Sequence, residues 1–193
     1  MCLSGALHTL PPDELTLIHE SLKECQFAAI EKYSTPQPQA DIALPIVRNL
    51  LNKWPRQNVD KQELYLEEVE GLLAKIQPVD LFTIGHQLGQ RLAECLHSPN
   101  SALVEGALYL LRSEDVEDLF EKAAIAVQEE RHGQGLQVDS LFKLLNEASI
   151  SLVGSRALHV GCGGIGGANE EIMEMAHDVT LSLQDFRGMM EAD

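Results

Sequence analysis

The run Leu158-His159-Val160-Gly161-Cys162-Gly163-Gly164-Ile165-Gly166 satisfies the pattern GxGxxG, and Asp185 stands nineteen residues beyond its last glycine. That spacing fits a dinucleotide cradle. Glycines allow a tight turn and close backbone approach to a pyrophosphate, the following helix offers it free N–H groups, and a distal acid takes the ribose hydroxyls. In this reading Leu158 to Val160 is a short strand, a helix starts at Asn169, and Val179 to Asp185 is a second strand. Gly161, Gly163, Gly166 and Asp185 then hold a dinucleotide or S-adenosylmethionine. Only eight residues follow Asp185, however, and one βαβ unit neither folds nor binds alone. A lone fingerprint is a weak signal, so the favoured reading is a glycine-rich surface loop joining helices, with no cofactor.

Other chemistry is poorly served. His8, His19, His86, His97, His132, His159 and His177 include no HExxH and no ligand pair on one helical face, so no metal is expected. Cys2, Cys25, Cys95 and Cys162 are far apart, without a CxxC pair, and read as reduced, mostly buried thiols. No nucleophile elbow, P-loop lysine or kinase signature occurs, so the chain is not expected to be an enzyme. A formal net charge of −16, from 30 acidic against 14 basic residues, repels phosphate backbones and leaves basic proteins as the plausible partners. Nothing in the sequence indicates a homo-oligomer. The start, Met-Cys-Leu-Ser, lacks a basic leader and no later stretch reaches membrane-spanning length, so the expected compartment is cytoplasm or nucleus. The chain reads as either a complete short protein or the later part of a longer one.

The elements that must carry these residues are helical. Apolar residues make up 45% of the chain and aromatics only 5%, a core mixture that favours helix over sheet. Glu14 to Tyr33 carries Leu17, Ile18, Leu22, Cys25, Ala28 and Ala29 on one side of an amphipathic helix. Ser34 to Pro38 cannot continue it, and a second helix is expected from about Asp41 to Lys53. Trp54 to Asn58 forms the next break, and Asp60 with Glu63 fits a capping box for a third helix. Its apolar stripe is Leu66, Val69, Leu72, Leu73 and Ile76, with Glu67, Glu68 and Glu70 largely off it.

Pro78 opens a fourth helix with Leu81, Ile84, Leu88, Leu92 and Cys95 on one face, and with Gly85 and Gly89 one turn apart, a spacing that admits close helix contact. After the turn His97 to Asn100, the apolar run Ala102 to Leu111 is expected to be the most buried helix. Ser113 caps an acidic first turn of Glu114, Asp115 and Glu117 in a helix reaching about Glu130. Two more follow, from Asp139 to about Val153 and from Asn169 to about Met190. Tight turns and a unit of about 40 residues predict an all-α fold, a HEAT-like helical-repeat solenoid of about four antiparallel helix hairpins. The repeats occupy residues 1–153, the glycine-rich loop 154–168, and a terminal helix over 169–193 completes the stack. A compact helical bundle is the alternative that periodicity leaves open.

Residues 50 to 114 resemble the B-prime family of regulatory subunits of protein phosphatase type 2A. The family's Leu-Leu-x-x-Trp-Pro-Lys turn, and the helix after it ending in Ile-Glu-Pro, correspond to Leu50-Leu51, Trp54-Pro55-Arg56, Leu66, Glu68, Glu70, Leu73 and Ile76-Gln77-Pro78. Its Leu-Ala-Lys-Cys-Val-Ser-Ser-Pro is similar to Leu92-Ala93-Glu94-Cys95-Leu96-His97-Ser98-Pro99, and its Glu-Arg-Ala-Leu-Tyr to Glu105-Gly106-Ala107-Leu108-Tyr109, without a gap. Where the family carries Trp-Asn-Asn-Glu, this chain has Leu111-Arg112-Ser113-Glu114, so an aromatic anchor is missing. The family's substrate-motif groove and acidic loop lie in repeats before the matched portion and are not credited here.

The resemblance implies a curved, non-catalytic scaffold that binds the phosphatase catalytic subunit and its helical scaffold subunit. The expected partner-facing ridge is Trp54, Pro55 and Arg56 followed by Lys61, Glu63, Glu67 and Glu68. Trp54 is the only tryptophan, and its first role is as a packing anchor between hairpins. The run of glutamates reads equally as a solvated helix face.

Overall fold

Two prolines open the first helix of the computed structural model, which describes residues 36–129, 136–160 and 168–191. Helix α1 (Pro36–Asn52) holds Pro36 and Pro38 in its first turn, where the missing N–H groups have no intrahelical partner to lose. The prolines expected only to interrupt a helix therefore also start one. The amphipathic helix expected over Glu14 to Tyr33 lies outside the described residues, as do residues 130–135 and 161–167.

Helix α2 (Val59–Leu73) is capped by Asn58, whose extended backbone lets its side-chain oxygen accept from the Lys61 N–H at 2.9 Å. Asp60, the expected cap, falls instead in the first turn, where its charge complements the helix dipole. A 3₁₀ turn (Pro78–Asp80), closed by the Gln77 N–H donating to Asp80 at 2.8 Å, feeds α3 (Leu81–Leu96). Asn100 caps α4 (Ser101–Leu111) by accepting from the Leu103 N–H. The Ser113 carbonyl accepts from Val116 and Glu117 to start α5 (Glu114–Glu129). Helix α6 (Leu136–Val160) and helix α7 (Ala168–Glu191) close the chain. Helix α6 starts before Asp139 and runs past Val153, the bounds expected for it.

The all-α fold is as expected, and no strand occurs among the described residues. Leu66, Val69, Leu72, Leu73 and Ile76 are buried, and so are Leu81, Ile84, Leu88, Leu92 and Cys95, as their spacing requires. Helices α1 and α2, α2 and α4, and α3 and α4 pack on one another, and α6 and α7 form a tight hairpin. The most extensive interface of all joins α3 to α6, which are distant in sequence. Gly85 and Gly89 make it: a Cβ at Gly85 would lie 2.8 Å from the Gln137 carbonyl oxygen, and one at Gly89 3.1 Å from the Leu141 Cα. Bare backbone on α3 is what lets α6 settle there.

Helix α7 then covers α5 and reaches α4. Phe120, Phe142 and Phe186, one from each of α5, α6 and α7, meet with ring centroids 5.5 to 6.5 Å apart. Helix α4 touches α2, α3, α5 and α7 and buries Leu103, Val104, Ala107, Leu108, Leu110 and Leu111, while Tyr109 stays 56% exposed.

Candidate partner-binding surface

Between α1 and α2 the chain must turn within a few residues, and Trp54 decides how. Its ring is 7% exposed and stands edge-on to Tyr65, with centroids 5.7 Å apart and planes at 88°. Trp54 is thus the packing anchor of the turn and offers almost no surface to a partner. Three polar contacts pin the same turn to α3. Gln87 donates to the Asn52 side chain at 2.8 Å, Arg91 Nε donates to the Leu51 carbonyl at 3.2 Å, and Arg56 donates to Glu94 at 3.2 Å. Glu94 also accepts from Arg91, at 2.9 and 3.1 Å, so one carboxylate bridges two guanidinium groups. Where the family motif carries Lys, Glu94 provides the acceptor that holds Arg56 in place. Cys95 lies beneath, its thiol pushed up to about 12 by burial and then by Glu94, with Arg91 opposing.

The remaining ridge residues separate along α2. Pro55 is half-buried, the Arg56 side chain is 64% exposed, Lys61 and Glu63 are half-buried, and Glu67 is exposed. Glu68 is not on the ridge: it is 8% exposed, on the border of the apolar stripe. After burial itself, the Glu68 charge raises the Tyr65 hydroxyl above its ordinary range. Glu63, Glu67 and Glu70 face Glu105 and Tyr109 of α4 across a groove of about 310 Å³. Burial, then Asp60 and Glu67, raise the Glu63 carboxyl above its usual value. Gly106 forms part of the groove floor, where the family motif has Arg, and a Cβ there would only touch the Leu66 side chain at 3.4 Å.

The structure therefore brings Glu63 and Glu67 together, sets Arg56 over α3, and turns Trp54 and Glu68 inward. Sequence reading missed Asn52, Gln87, Arg91 and Glu94, because the contacts Asn52–Gln87, Arg56–Glu94 and Leu51–Arg91 join residues 35, 38 and 40 positions apart. In the altered Leu111-Arg112-Ser113 turn, Leu111 is buried and Arg112 reaches Asp178 of α7 at 3.5 Å. A new interhelix link thus follows the missing aromatic residue.

The dinucleotide reading fails on its secondary structure. Leu158 to Val160 is the end of α6, and Val179 to Asp185 lies within α7, so neither strand that this alternative needs exists. Asp185 is exposed on a helix, and Gly161, Gly163 and Gly166 lie outside the described residues. A glycine fingerprint grips a pyrophosphate only from a strand-to-helix turn, and this one is preceded by a helix.

The family model described as Protein phosphatase 2A regulatory B subunit (B56 family) matches residues 7–128. The chain is 34% identical over 116 residues to the serine/threonine-protein phosphatase 2A regulatory subunit pptr-1 of Caenorhabditis elegans, covering 60% of this chain and 20% of that protein. It is 30% identical over 108 residues to the 56 kDa regulatory subunit alpha isoform of Homo sapiens and to the 57 kDa B' theta isoform of Arabidopsis thaliana. Those matches cover 56% of this chain and 21% of each relative. The chain thus spans about a fifth of the length of the curated relatives it matches. No solved structure matches it. The matched residues take in the pinned turn and all of α2, α3 and α4, the same residues whose motifs carry the resemblance, and on that agreement the chain belongs to the B56 family of protein phosphatase 2A regulatory B subunits.

Proposed function

We propose that the chain is a non-catalytic regulatory subunit that binds the phosphatase 2A core, contacting its catalytic subunit and its helical scaffold subunit. The observation that carries this reading is the family match over residues 7–128. The exposed docking edge is the turn Pro55-Arg56 with Lys61 and the outer acidic face of α2. Because Trp54 is buried and Glu94 fixes Arg56, this edge is ordered before any partner arrives, which lowers the entropy cost of docking.

The test is a pull-down with the full chain immobilised and purified catalytic and scaffold subunits in solution. The parent chain is expected to retain both, and Arg56→Glu to retain markedly less. Recovery of neither subunit by the parent would overturn the regulatory-subunit reading and leave a generic helical interaction module. Full recovery by Arg56→Glu would overturn only the placement of the docking edge.

A further inference from the structure

A second concave surface begins at the acidic turn that starts α5. Glu114, Glu117, Asp118 and Glu121 recur at three- and four-residue steps and so form one stripe along α5. Asp185, Phe186 and Met189 follow the same steps on α7, and the two stripes face each other across a groove of about 400 Å³. Arg112 pairs with Asp178 just before each stripe begins and Phe120 meets Phe186 farther along, so the helices run in the same direction along the groove. The far end is apolar: Met189 is 36% exposed, and Ile125, next on the α5 stripe, is 43% exposed.

The carboxylates do not converge on a point. No group of three or more His, Cys, Asp or Glu among the described residues is placed to hold a metal ion. They are spread at the pitch of a helix, which suits several cations in a row better than one ion. Lys122, paired with Asp118, is the one basic side chain that the α5 stripe holds against itself. Charge in a row, with an apolar patch at one end, is complementary to a helix that carries lysines or arginines on one face and an aliphatic residue beside them.

We infer that the α5–α7 groove docks a basic amphipathic segment of another protein, its cations along Glu114 to Glu121 and Asp185 and its apolar side chain on Met189 and Ile125. The site is separate from the edge proposed for the phosphatase core, and its test needs no phosphatase.

The probe is a short labelled helical peptide with lysines at three- and four-residue steps and leucines beside them, followed by fluorescence anisotropy against the full chain. A scrambled peptide of the same composition is the control for net charge. Each exposed ion pair contributes a few tenths of a kcal/mol to about 1 kcal/mol, so replacing three carboxylates should weaken binding by about tenfold. The variant Glu117→Gln/Asp118→Asn/Glu121→Gln is expected to show that loss. Its partner Glu147→Gln/Glu170→Gln/Glu171→Gln, with the same change in charge at exposed positions outside both grooves, should stay within about twofold of the parent. Met189→Gln should weaken the amphipathic peptide and leave the scrambled one unchanged. Equal losses in both triple variants, no loss in the first, or equal binding of the scrambled peptide would each overturn the proposal.

Discussion

Replacing Gly85 by alanine sets two effects of opposite sign against each other. Alanine is favoured over glycine inside a helix by about 1 kcal/mol, so propensity alone predicts a more stable protein. At this site the new Cβ would stand 2.8 Å from the Gln137 carbonyl oxygen and 3.2 Å from its carbon, and both atoms are backbone. Relaxed contact begins at about 3.4 Å, so α3 and α6 must part by about 0.6 Å. A gap of that size forfeits about a quarter to a half of the dispersion energy of the atoms it separates. Val138, Leu141, Phe142 and Leu145 of α6 are completely buried and lose in concert. Overpacking of this kind typically costs about 1–3 kcal/mol, so after the gain of about 1 kcal/mol from propensity the net expectation is a loss of up to about 2 kcal/mol.

Gly154 supplies the control, because it sits inside α6 with nothing within 4 Å of an added Cβ. Gly154→Ala should therefore gain about 0.5–1 kcal/mol. Gly89→Ala, with its Cβ 3.1 Å from the Leu141 Cα, should fall between the two. Urea titration followed by far-ultraviolet circular dichroism measures all three. If Gly85→Ala gained stability as Gly154→Ala does, propensity would govern the site and the close approach of α3 and α6 would be refuted.

Two further expectations concern buried side chains. Trp54, as the only tryptophan, should emit at short wavelength and resist acrylamide quenching, and Trp54→Ala should cost about 3–5 kcal/mol; emission typical of an exposed indole would contradict its anchoring role. Cys95 should stay unalkylated in the native chain when labelling is mapped by mass spectrometry, because burial holds its thiol protonated up to about 12. The unfolded chain loses that proton near pH 9, so the contribution of Cys95 to stability is intact below that pH and is lost progressively as pH rises toward 12.

Local features were legible in the sequence. The stripes from Leu66 to Ile76 and from Leu81 to Cys95 follow from helical period alone, and Gly85 and Gly89 announced a close approach without naming the helix that makes it. Nonlocal ones were hidden. Nothing in the neighbourhood of Glu68 says that it is buried, and no spacing rule links Arg56 to Glu94, 38 residues away on α3. Asn58 and Asp60 are both competent caps two residues apart, and the extended backbone at Asn58 settled which one acts. Leu158 to Val160 resembled a strand because a short apolar run before glycines has no period of its own, yet it continues a helix already in progress. The family resemblance supplied what periodicity could not, an expected role for the surface.

The seating of α6 on α3 changes how the molecule should come apart. In a linear array each unit touches only its neighbours, so an end unit can fray while the rest persists. Here the final hairpin reaches back to Gly85 and Gly89 and also roofs α4 and α5. Opening it would uncover the glycine stripe and break the cluster of Phe120, Phe142 and Phe186 in one event. The described helices should therefore unfold as a single cooperative unit, and amide protons of α3 should exchange at the same rate as those of α6 although some fifty residues separate them.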